Sequence, residues 1–192
     1  MDEIFSLFPE METERFILRN IELEDAVDLH EAYSDPDVVK FWGTAPFTSI
    51  EQTQSLISDF HKGYEGQLTI RWGIAEKEGN RIIGTCGYHN WAKKKFRSEI
   101  GYEIRKSEWR KGVMKEVLSA ILPFAFQQME LNRIGALIHP ENHGSASLVS
   151  KFGFKEEGCL RDYQCVDGEF QDLVMHSLIK KDFAQHKKNA WV

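Results

Sequence analysis

The stretch that decides the fold is Trp109-Arg110-Lys111-Gly112-Val113-Met114-Lys115-Glu116. It follows an apolar, strand-like run over residues 100–104 and opens a long helical pattern. The first turn of a helix carries unpaired N–H groups and the positive end of the helix dipole, so a strand–turn–helix unit of this kind suits a pyrophosphate. Gly112 lets the backbone approach phosphates closely, and Arg110 and Lys111 add positive charge. The stretch therefore predicts a phosphate-binding turn.

Apolar spacing after this turn predicts a helix over residues 112–129. The apolar side chains recur at the intervals of one buried helix face, because residues three or four positions apart lie on the same side. They are Val113, Val117, Leu118, Ile121, Leu122, Ala125 and Phe126. A helix with so wide an apolar stripe must lie against a sheet or other helices.

The rest of the chain divides into shorter strands and helices. The capping-box pattern Thr48-Ser49-Ile50-Glu51 predicts the start of a helix, and Glu78-Gly79-Asn80 and Asp167-Gly168 predict tight turns. The predicted strands cover residues 15–19, 68–76, 81–89, 98–105, 133–139, 154–166 and 170–179, and the other predicted helices cover residues 24–33, 48–60 and 145–152. This order predicts an α/β (α+β) fold with helices against a mixed sheet.

Length and composition restrict the class of protein. The 192 residues suit a single domain over residues 1–192, and 42% hydrophobic with 28% charged residues is ordinary for a soluble globular protein. The net charge of −6 disfavours nucleic acid as a partner, because that partner requires a basic face. No apolar run approaches about 18 residues, and Met1-Asp2-Glu3-Ile4 lacks a signal-peptide pattern. We therefore expect a cytoplasmic protein without membrane attachment.

The cysteines and histidines do not predict a metal centre. Cys86, Cys159 and Cys165 include no C-x-x-C pair, so neither a zinc site nor a disulfide framework is indicated, and their low number fits a reducing compartment. His139 and His143 lie close in sequence, but no third ligand accompanies them at a suitable spacing. We expect no metal.

Four segments, taken in order, resemble the GNAT N-acetyltransferases, and within them the subfamily that acetylates the N-terminal α-amino groups of ribosomal proteins. The segments are residues 13–19 (TERFILR), residues 99–102 (EIGY) leading into the turn at 109–114, residues 142–145 (NHGS) with 151–154 (KFGF), and residues 157–161 (EGCLR). The resemblance covers residues 13–178, which is nearly the whole chain and the expected core of the domain.

The resemblance implies a mixed, mostly antiparallel central sheet, flanked by helices, in which two parallel strands at residues 99–105 and 133–139 splay apart. It also implies acetyl-CoA as co-substrate, with the pyrophosphate at the turn and the pantetheine arm in the gap. An N–H near Ile104 or Arg105 would polarise the thioester carbonyl. The cofactor-binding residues implied are Ile104, Arg105, Arg110, Lys111, Gly112, Val113, Met114, Lys115, Asn142, Ser145 and Lys151. Lys151 is the candidate for the 3′-phosphate, and the alternative is that it is an ordinary surface charge.

Two positions depart from the general family pattern. Trp109 and Met114 stand at the two ends of the turn, where Gln or Arg and a small residue are usual. Many members carry a tyrosine as the acid for the departing thiolate, and that position here is Val149, which cannot donate a proton. The resemblance implies that Ser145, one helical turn earlier, takes this role, while capping the helix is its simpler explanation.

The base that deprotonates the amine stays open at this level. A peptide α-amino group has a pKa of about 7.7–8.0 and a lysine side chain about 10.4, so the α-amine costs about 3.5 kcal/mol less to deprotonate. A modest base, such as a water molecule held by a carboxylate, is then sufficient. Glu99 and Glu103 lie on one face of the central strand because strand side chains alternate. His89, or no dedicated base, are the alternatives.

These observations predict an acetyl-CoA-dependent N-acetyltransferase that acts by direct attack in a ternary complex, because no residue is marked as an acylated nucleophile. The expected acceptor is the N-terminal α-amino group of a protein such as a ribosomal protein. A small amine, such as a polyamine, amino acid or drug, is the alternative acceptor, and a non-catalytic acetyl-CoA sensor is the alternative class. We expect a monomer or a homodimer.

Overall fold

The computed structural model describes the backbone of residues 2–190 and the side chains of residues 4–185. The strands are β1 (Met11–Glu12), β2 (Phe16–Arg19), β3 (Ile70–Glu76), β4 (Ile82–Ala92), β5 (Arg97–Ile104), β6 (Arg133–Ile138), β7 (Lys155–Val166) and β8 (Glu169–Ile179). The helices are α1 (Ala26–Tyr33), α2 (Pro36–Val39), α3 (Ile50–Glu65), α4 (Val113–Gln127), α5 (His143–Lys151) and α6 (Lys180–Ala190).

All eight described strands form one sheet in the order β1-β2-β3-β4-β5-β6-β8-β7. Every neighbouring pair is antiparallel except β5 and β6, which are parallel because α4 connects them as a crossover. The predicted mixed, mostly antiparallel sheet with flanking helices is confirmed.

The parallel pair is joined only at its beginning. Arg97, Ser98 and Glu99 of β5 pair with Arg133, Ile134 and Gly135 of β6, and no further pairs follow. The remaining five residues of β5 and three of β6 therefore diverge while each strand stays bonded to its outer neighbour. The result is a V-shaped gap in the middle of the sheet, as the resemblance implies.

Helix α4 covers one face of the sheet. Its apolar stripe is buried, with Val117, Leu118 and Ile121 fully inaccessible to solvent, and it packs on Tyr88 and Ile100 of the central strands. The helix runs through Pro123 to Gln127. The predicted range of residues 112–129 is thus close to the observed Val113–Gln127, with Gly112 as the residue before the first turn.

Helices α1 and α3 cover the opposite face of the sheet. Leu29, Tyr33 and Ile57 form a second core cluster there against Ala75 and Ile82. The start of α3 differs slightly from the predicted capping box, because the Gln52 side chain accepts the Ser49 N–H at 3.1 Å in place of Glu51. Helix α3 also extends to Glu65, beyond the predicted end at residue 60.

Candidate active site

The turn before α4 is shaped to receive an anion. Arg110 and Gly112 both adopt left-handed backbone conformations, with φ of +62° and +79°, and turns of this kind direct N–H groups into a concave surface. The first helical hydrogen bond runs from Glu116 N–H to Gly112 O at 3.1 Å. Within the described residues no side chain caps this helix, so the N–H groups of its first turn stay open to a ligand.

The side chains of the turn separate into buried and exposed groups. Val113 and Met114 are buried in the core beneath α4, so the larger size of Met114 does not intrude on the concave surface. Arg110 and Lys115 are exposed, and Lys111 Nζ lies 3.1 Å from Glu108 Oε1. The turn thus presents backbone N–H groups and positive charge together.

Arg15, directly before β2, holds this turn in place, although no local sequence pattern marks it as a residue of the site. Its backbone N–H and its Nε each donate to the Glu116 carboxylate at 2.7 Å, and its Nη1 donates to Lys111 O at 3.2 Å. Thr13 Oγ1 donates to the same carboxylate at 2.6 Å. Burial alone would raise the pKa of Glu116, but the hydrogen bonds from Thr13 and Arg15 hold that pKa below its ordinary value.

The gap between β5 and β6 exposes backbone donors of β5. Arg105 N–H donates to Ile83 O of the neighbouring segment at 2.9 Å. Because alternate residues of an antiparallel strand point to opposite sides, the N–H groups of Ile104 and Tyr102 point toward β6 and the gap. The expectation that the Arg105 N–H is free to polarise the thioester carbonyl is therefore wrong. Of the two candidates, only the Ile104 N–H faces the gap.

Helix α5 begins at the other side of the gap. Asn142 Oδ1 accepts the Ser145 N–H at 3.1 Å, so Asn142 caps the helix and keeps its amide nitrogen available. Ser145 is partly buried, and Val149 is fully buried on the same helix. Lys151 is exposed in the last turn.

Glu103 lies in a closed polar cluster on the face covered by α1 and α3. Its carboxylate pairs with the Arg71 guanidinium and accepts hydrogen bonds from Thr85 Oγ1 and from Tyr33 Oη, the last at 2.6 Å. The Arg71 and Glu103 side chains are only 8% and 9% exposed. The Arg71 guanidinium balances the charge of this buried carboxylate. If Glu103 accepted a proton, Arg71 would be left without a charged partner.

Glu99 lies on the same face, at the point where β5 and β6 separate. Its Oε2 accepts from Asn90 Nδ2 at 2.9 Å and lies 3.6 Å from His89 Nε2. Burial and the nearby Arg71 charge lower the pKa of His89, which keeps its imidazole neutral near pH 7. Glu99 and His89 thus form a partly exposed pair beside the gap, in contrast to Glu103.

The loop between α2 and α3 reaches across this face. Phe41 stacks on His139 with 5.0 Å between ring centroids, and Lys40 Nζ lies 3.7 Å from Glu141 Oε2. Gly43 lies against Gln164 of β7, where a Cβ atom would approach the side-chain nitrogen to 3.1 Å. The loop therefore forms a wall between α1 and the β7–β8 hairpin.

Two further features bear on the kind of site. No three His, Cys, Asp or Glu side chains within the described part of the chain are grouped so that they could hold a metal ion. Over the same residues, no helix has both the length and the apolar character needed to span a membrane.

Comparison with known proteins agrees with this geometry. The family model "Acetyltransferase (GNAT) domain" matches residues 15–155. The uncharacterized N-acetyltransferase YoaA of Bacillus subtilis (strain 168) is 39% identical over 174 residues, which is 91% of this chain and 98% of that protein. The [Ribosomal protein uS5]-alanine N-acetyltransferase of Escherichia coli (strain K12) is 27% identical over 179 residues, which is 89% of this chain and 91% of that protein.

A solved structure of similar fold is that of a GNAT-family acetyltransferase from Bacillus anthracis. It has a TM-score of 0.78 and 24% sequence identity, and it covers 90% of this chain and 99% of its own. With the family model and the relative at 39% identity, the chain belongs to the GNAT acetyltransferases. It is an N-acetyltransferase.

Proposed function

We propose that this enzyme transfers the acetyl group of acetyl-CoA to the N-terminal α-amino group of a protein, and specifically of a ribosomal protein. The observation that carries the cofactor assignment is the uncapped start of α4 at the end of the splayed strand β5. In this arrangement the pyrophosphate binds the N–H groups of residues 112–115, and Arg110, Lys111 and Lys115 supply charge. Lys151 lies at the end of α5, where a second phosphate could reach it.

The pantetheine arm would lie along β5 in the gap, where the N–H groups of Ile104 and Tyr102 face it. Asn142 offers its amide nitrogen to the arm, and Ser145 offers its hydroxyl to the sulfur. N–H groups preorganised at a carbonyl that gains negative charge lower the barrier to acyl transfer. The amine approaches from the face of α1 and α3, attacks the thioester carbonyl directly, and no acylated enzyme forms.

The site favours Glu99 over Glu103 as the group that accepts the amine proton through a water molecule. Glu99 keeps one carboxylate oxygen without a hydrogen bond among the described residues, and neutral His89 lies beside it. A substantial fraction of α-amino groups, about half or more, is already deprotonated near pH 8. This modest pair is therefore adequate for an α-amine, whereas a lysine amine would require a stronger base.

The relatives support a protein acceptor. The Escherichia coli relative acts on the alanine of ribosomal protein uS5, as its name states. In our proposal the α2–α3 loop and the neighbouring β7–β8 hairpin together receive the first residues of such a chain.

The test is a thiol-release assay with acetyl-CoA and matched acceptors. We expect turnover with peptides bearing a free N-terminal α-amine. The matched controls are the same peptides with a formylated N-terminus and an internal lysine, and a polyamine, all of which should be silent. Preference for the polyamine would support a small-amine acetylase. Tight binding of acetyl-CoA without thiol release across the whole panel would support a sensor.

A pair of isosteric variants tests the base. Glu99→Gln should lower kcat roughly 10- to 100-fold while leaving acetyl-CoA affinity unchanged, because general-base catalysis contributes about that much or more. Glu103→Gln should mainly lower thermal stability, since it leaves Arg71 buried beside a neutral partner. If Glu103→Gln loses turnover at wild-type stability and Glu99→Gln does not, the assignment is reversed.

A further inference from the structure

A buried hydroxyl without a partner lies at the gap. Tyr102 Oη is one of three buried side-chain polar atoms that find no hydrogen-bond partner among the described residues. The other two are Trp91 Nε1, at the far end of β4, and Arg105 Nε, whose guanidinium also contacts Ile82 O. A buried polar group without a partner costs about 1–3 kcal/mol, so its retention calls for an explanation.

The position of Tyr102 ties this hydroxyl to the gap. Tyr102 follows the last β5–β6 pair, Glu99 with Gly135, by three residues. Its side chain shares the α4 face with Ile100 and Ile104, because strand side chains alternate. Glu99 and Glu103 point to the opposite face, so the amine and the hydroxyl would reach the thioester from two sides of the sheet.

Ser145 is the polar neighbour of this hydroxyl. Burial raises the pKa of Tyr102 to about 12, and the Ser145 side chain lies close enough for hydrogen bonding to oppose part of that rise. No hydrogen bond of standard geometry joins the two hydroxyls. The two groups therefore converge from β5 and from the start of α5 without satisfying each other, which leaves both able to donate to a third atom between them.

We propose that Tyr102 is a further catalytic residue, whose hydroxyl donates a hydrogen bond to the coenzyme A sulfur together with Ser145. This proposal rests on the proposed function and extends it to the leaving group. As the amine nitrogen bonds to the carbonyl carbon and the carbon–sulfur bond breaks, the electron pair of that bond goes to sulfur, where the two hydroxyls stabilise it.

The hydroxyl of Tyr102 acts as a hydrogen-bond donor and keeps its proton. Burial raises its pKa to about 12, above that of an ordinary thiol, so complete transfer of its proton to the thiolate is disfavoured. The amine proton passes through water to Glu99 and on to solvent, and the thiolate takes one proton from solvent. Amine plus thioester therefore give amide plus thiol with no other reactant. The chain thereby supplies a phenol near the sulfur although Val149 replaces the tyrosine usual in the family.

The test uses the complex of the enzyme with coenzyme A alone, in which the thiolate is followed by its ultraviolet absorbance against pH. Tyr102→Phe removes one hydroxyl, keeps the ring in the core, and breaks no hydrogen bond of standard geometry among the described residues. We expect the pKa of the bound thiol to be about one unit higher in Tyr102→Phe than in the wild type. A hydrogen bond to the charged thiolate favours ionisation of the thiol by about tenfold or more, and the variant loses one such bond.

Turnover of acetyl-CoA with the peptide substrate is the second readout. We expect kcat to fall roughly 10- to 100-fold in Tyr102→Phe with acetyl-CoA affinity unchanged. In the double variant with Tyr102→Phe and Ser145→Ala, kcat should fall by less than the product of the two single fold-losses, since both hydroxyls act on the same sulfur atom. Tyr88→Phe is the matched control, because it removes a buried hydroxyl from the same face of the sheet. That hydroxyl lies away from the gap and donates to Ile121 O with a hydrogen bond of 2.8 Å.

The outcomes separate this role from the proposed function. An unchanged thiol pKa in a Tyr102→Phe variant that binds coenzyme A overturns the role of Tyr102 alone, and so does an equal loss of turnover in Tyr88→Phe. A wild-type protein that binds no coenzyme A overturns the proposed function and this role with it.

Discussion

Replacing Gly112 by Asp or by Asn gives the sharpest test of the phosphate-binding turn. Gly112 has φ of +79° and ψ of +5°, a left-handed conformation that Asn and Asp tolerate better than other side chains. A Cβ atom there meets nothing closer than Arg15 Nη2 at 3.8 Å, so both side chains fit. The two variants share shape and backbone strain and differ by one negative charge.

The size of the charge effect follows from Coulomb's law. A carboxylate about 6 Å from a phosphate charge is repelled by about 0.7 kcal/mol at a dielectric constant of 80 and about 2.8 kcal/mol at 20. Gly112 is exposed, and Arg15 partly screens the new carboxylate, so the effect lies between these limits. We expect acetyl-CoA affinity to be roughly tenfold weaker in Gly112→Asp than in Gly112→Asn.

The assay is calorimetric titration of both variants with acetyl-CoA at low and high salt, with thermal unfolding as the check on folding. The difference between the variants should shrink at high salt, because exposed charges are screened within about 10 Å at 0.1 M. It should also vanish for acetyl-pantetheine, which lacks the pyrophosphate. Equal affinities of Gly112→Asp and Gly112→Asn for acetyl-CoA would refute phosphate binding at this turn.

Three further predictions concern the clamp, the leaving group and acid stability. Arg15→Ala should weaken acetyl-CoA binding roughly 5- to 30-fold in titrations and leave acetyl-pantetheine binding unchanged, because Arg15 orders the turn through Lys111 O; equal losses for both ligands would contradict this role. Ser145→Ala should lower kcat more than acetyl-CoA affinity in steady-state assays, and wild-type kcat would reduce Ser145 to a helix residue. Hydrogen bonds from Arg133 and Ser177 hold the pKa of Glu157 at about 2, below its ordinary 4.5. Its contribution to stability is therefore present above pH 4.5 and lost as pH falls toward 2, so the difference in melting temperature between wild type and Glu157→Gln should shrink over that range; a constant difference would refute the coupling.

Local pattern was sufficient for most elements of the fold. The long apolar helix, the central strand and the turn at Asp167 and Gly168 lie within a few residues of their predicted positions. These elements have strong periodicity or specific turn residues, which act over short distances. Strand β1 and helices α2 and α6 were not predicted, because β1 has two residues and α2 four, and α6 follows β8 without a turn signal. The single-domain organisation over residues 1–192 stays a prediction.

The candidate site was predicted less completely. Residues 110–115, Asn142 and Ser145 could be proposed from the sequence because motifs at fixed spacing mark them, and their roles stay predictions. Arg15 was missed because it contacts Glu116, 101 positions later, and no local signal marks that pair. Glu103 and Glu99 were equivalent in sequence because both lie on one face of one strand. Only their neighbours distinguish them, since Arg71 forms an ion pair with Glu103, whereas Asn90 and His89 flank Glu99.

The sequence by itself determined the strand–turn–helix unit, the order of strands and helices, and the family resemblance, because these depend on hydrophobic period, turn residues and spacing along the chain. Tertiary structure alone decided which N–H groups face the gap, which carboxylate is neutralised, and which buried hydroxyl lacks a partner. Those properties depend on pairing between β4 and β5 and on side chains brought together from distant segments. Hydrogen bonding and charge act over a few ångströms in space, whatever the separation along the chain.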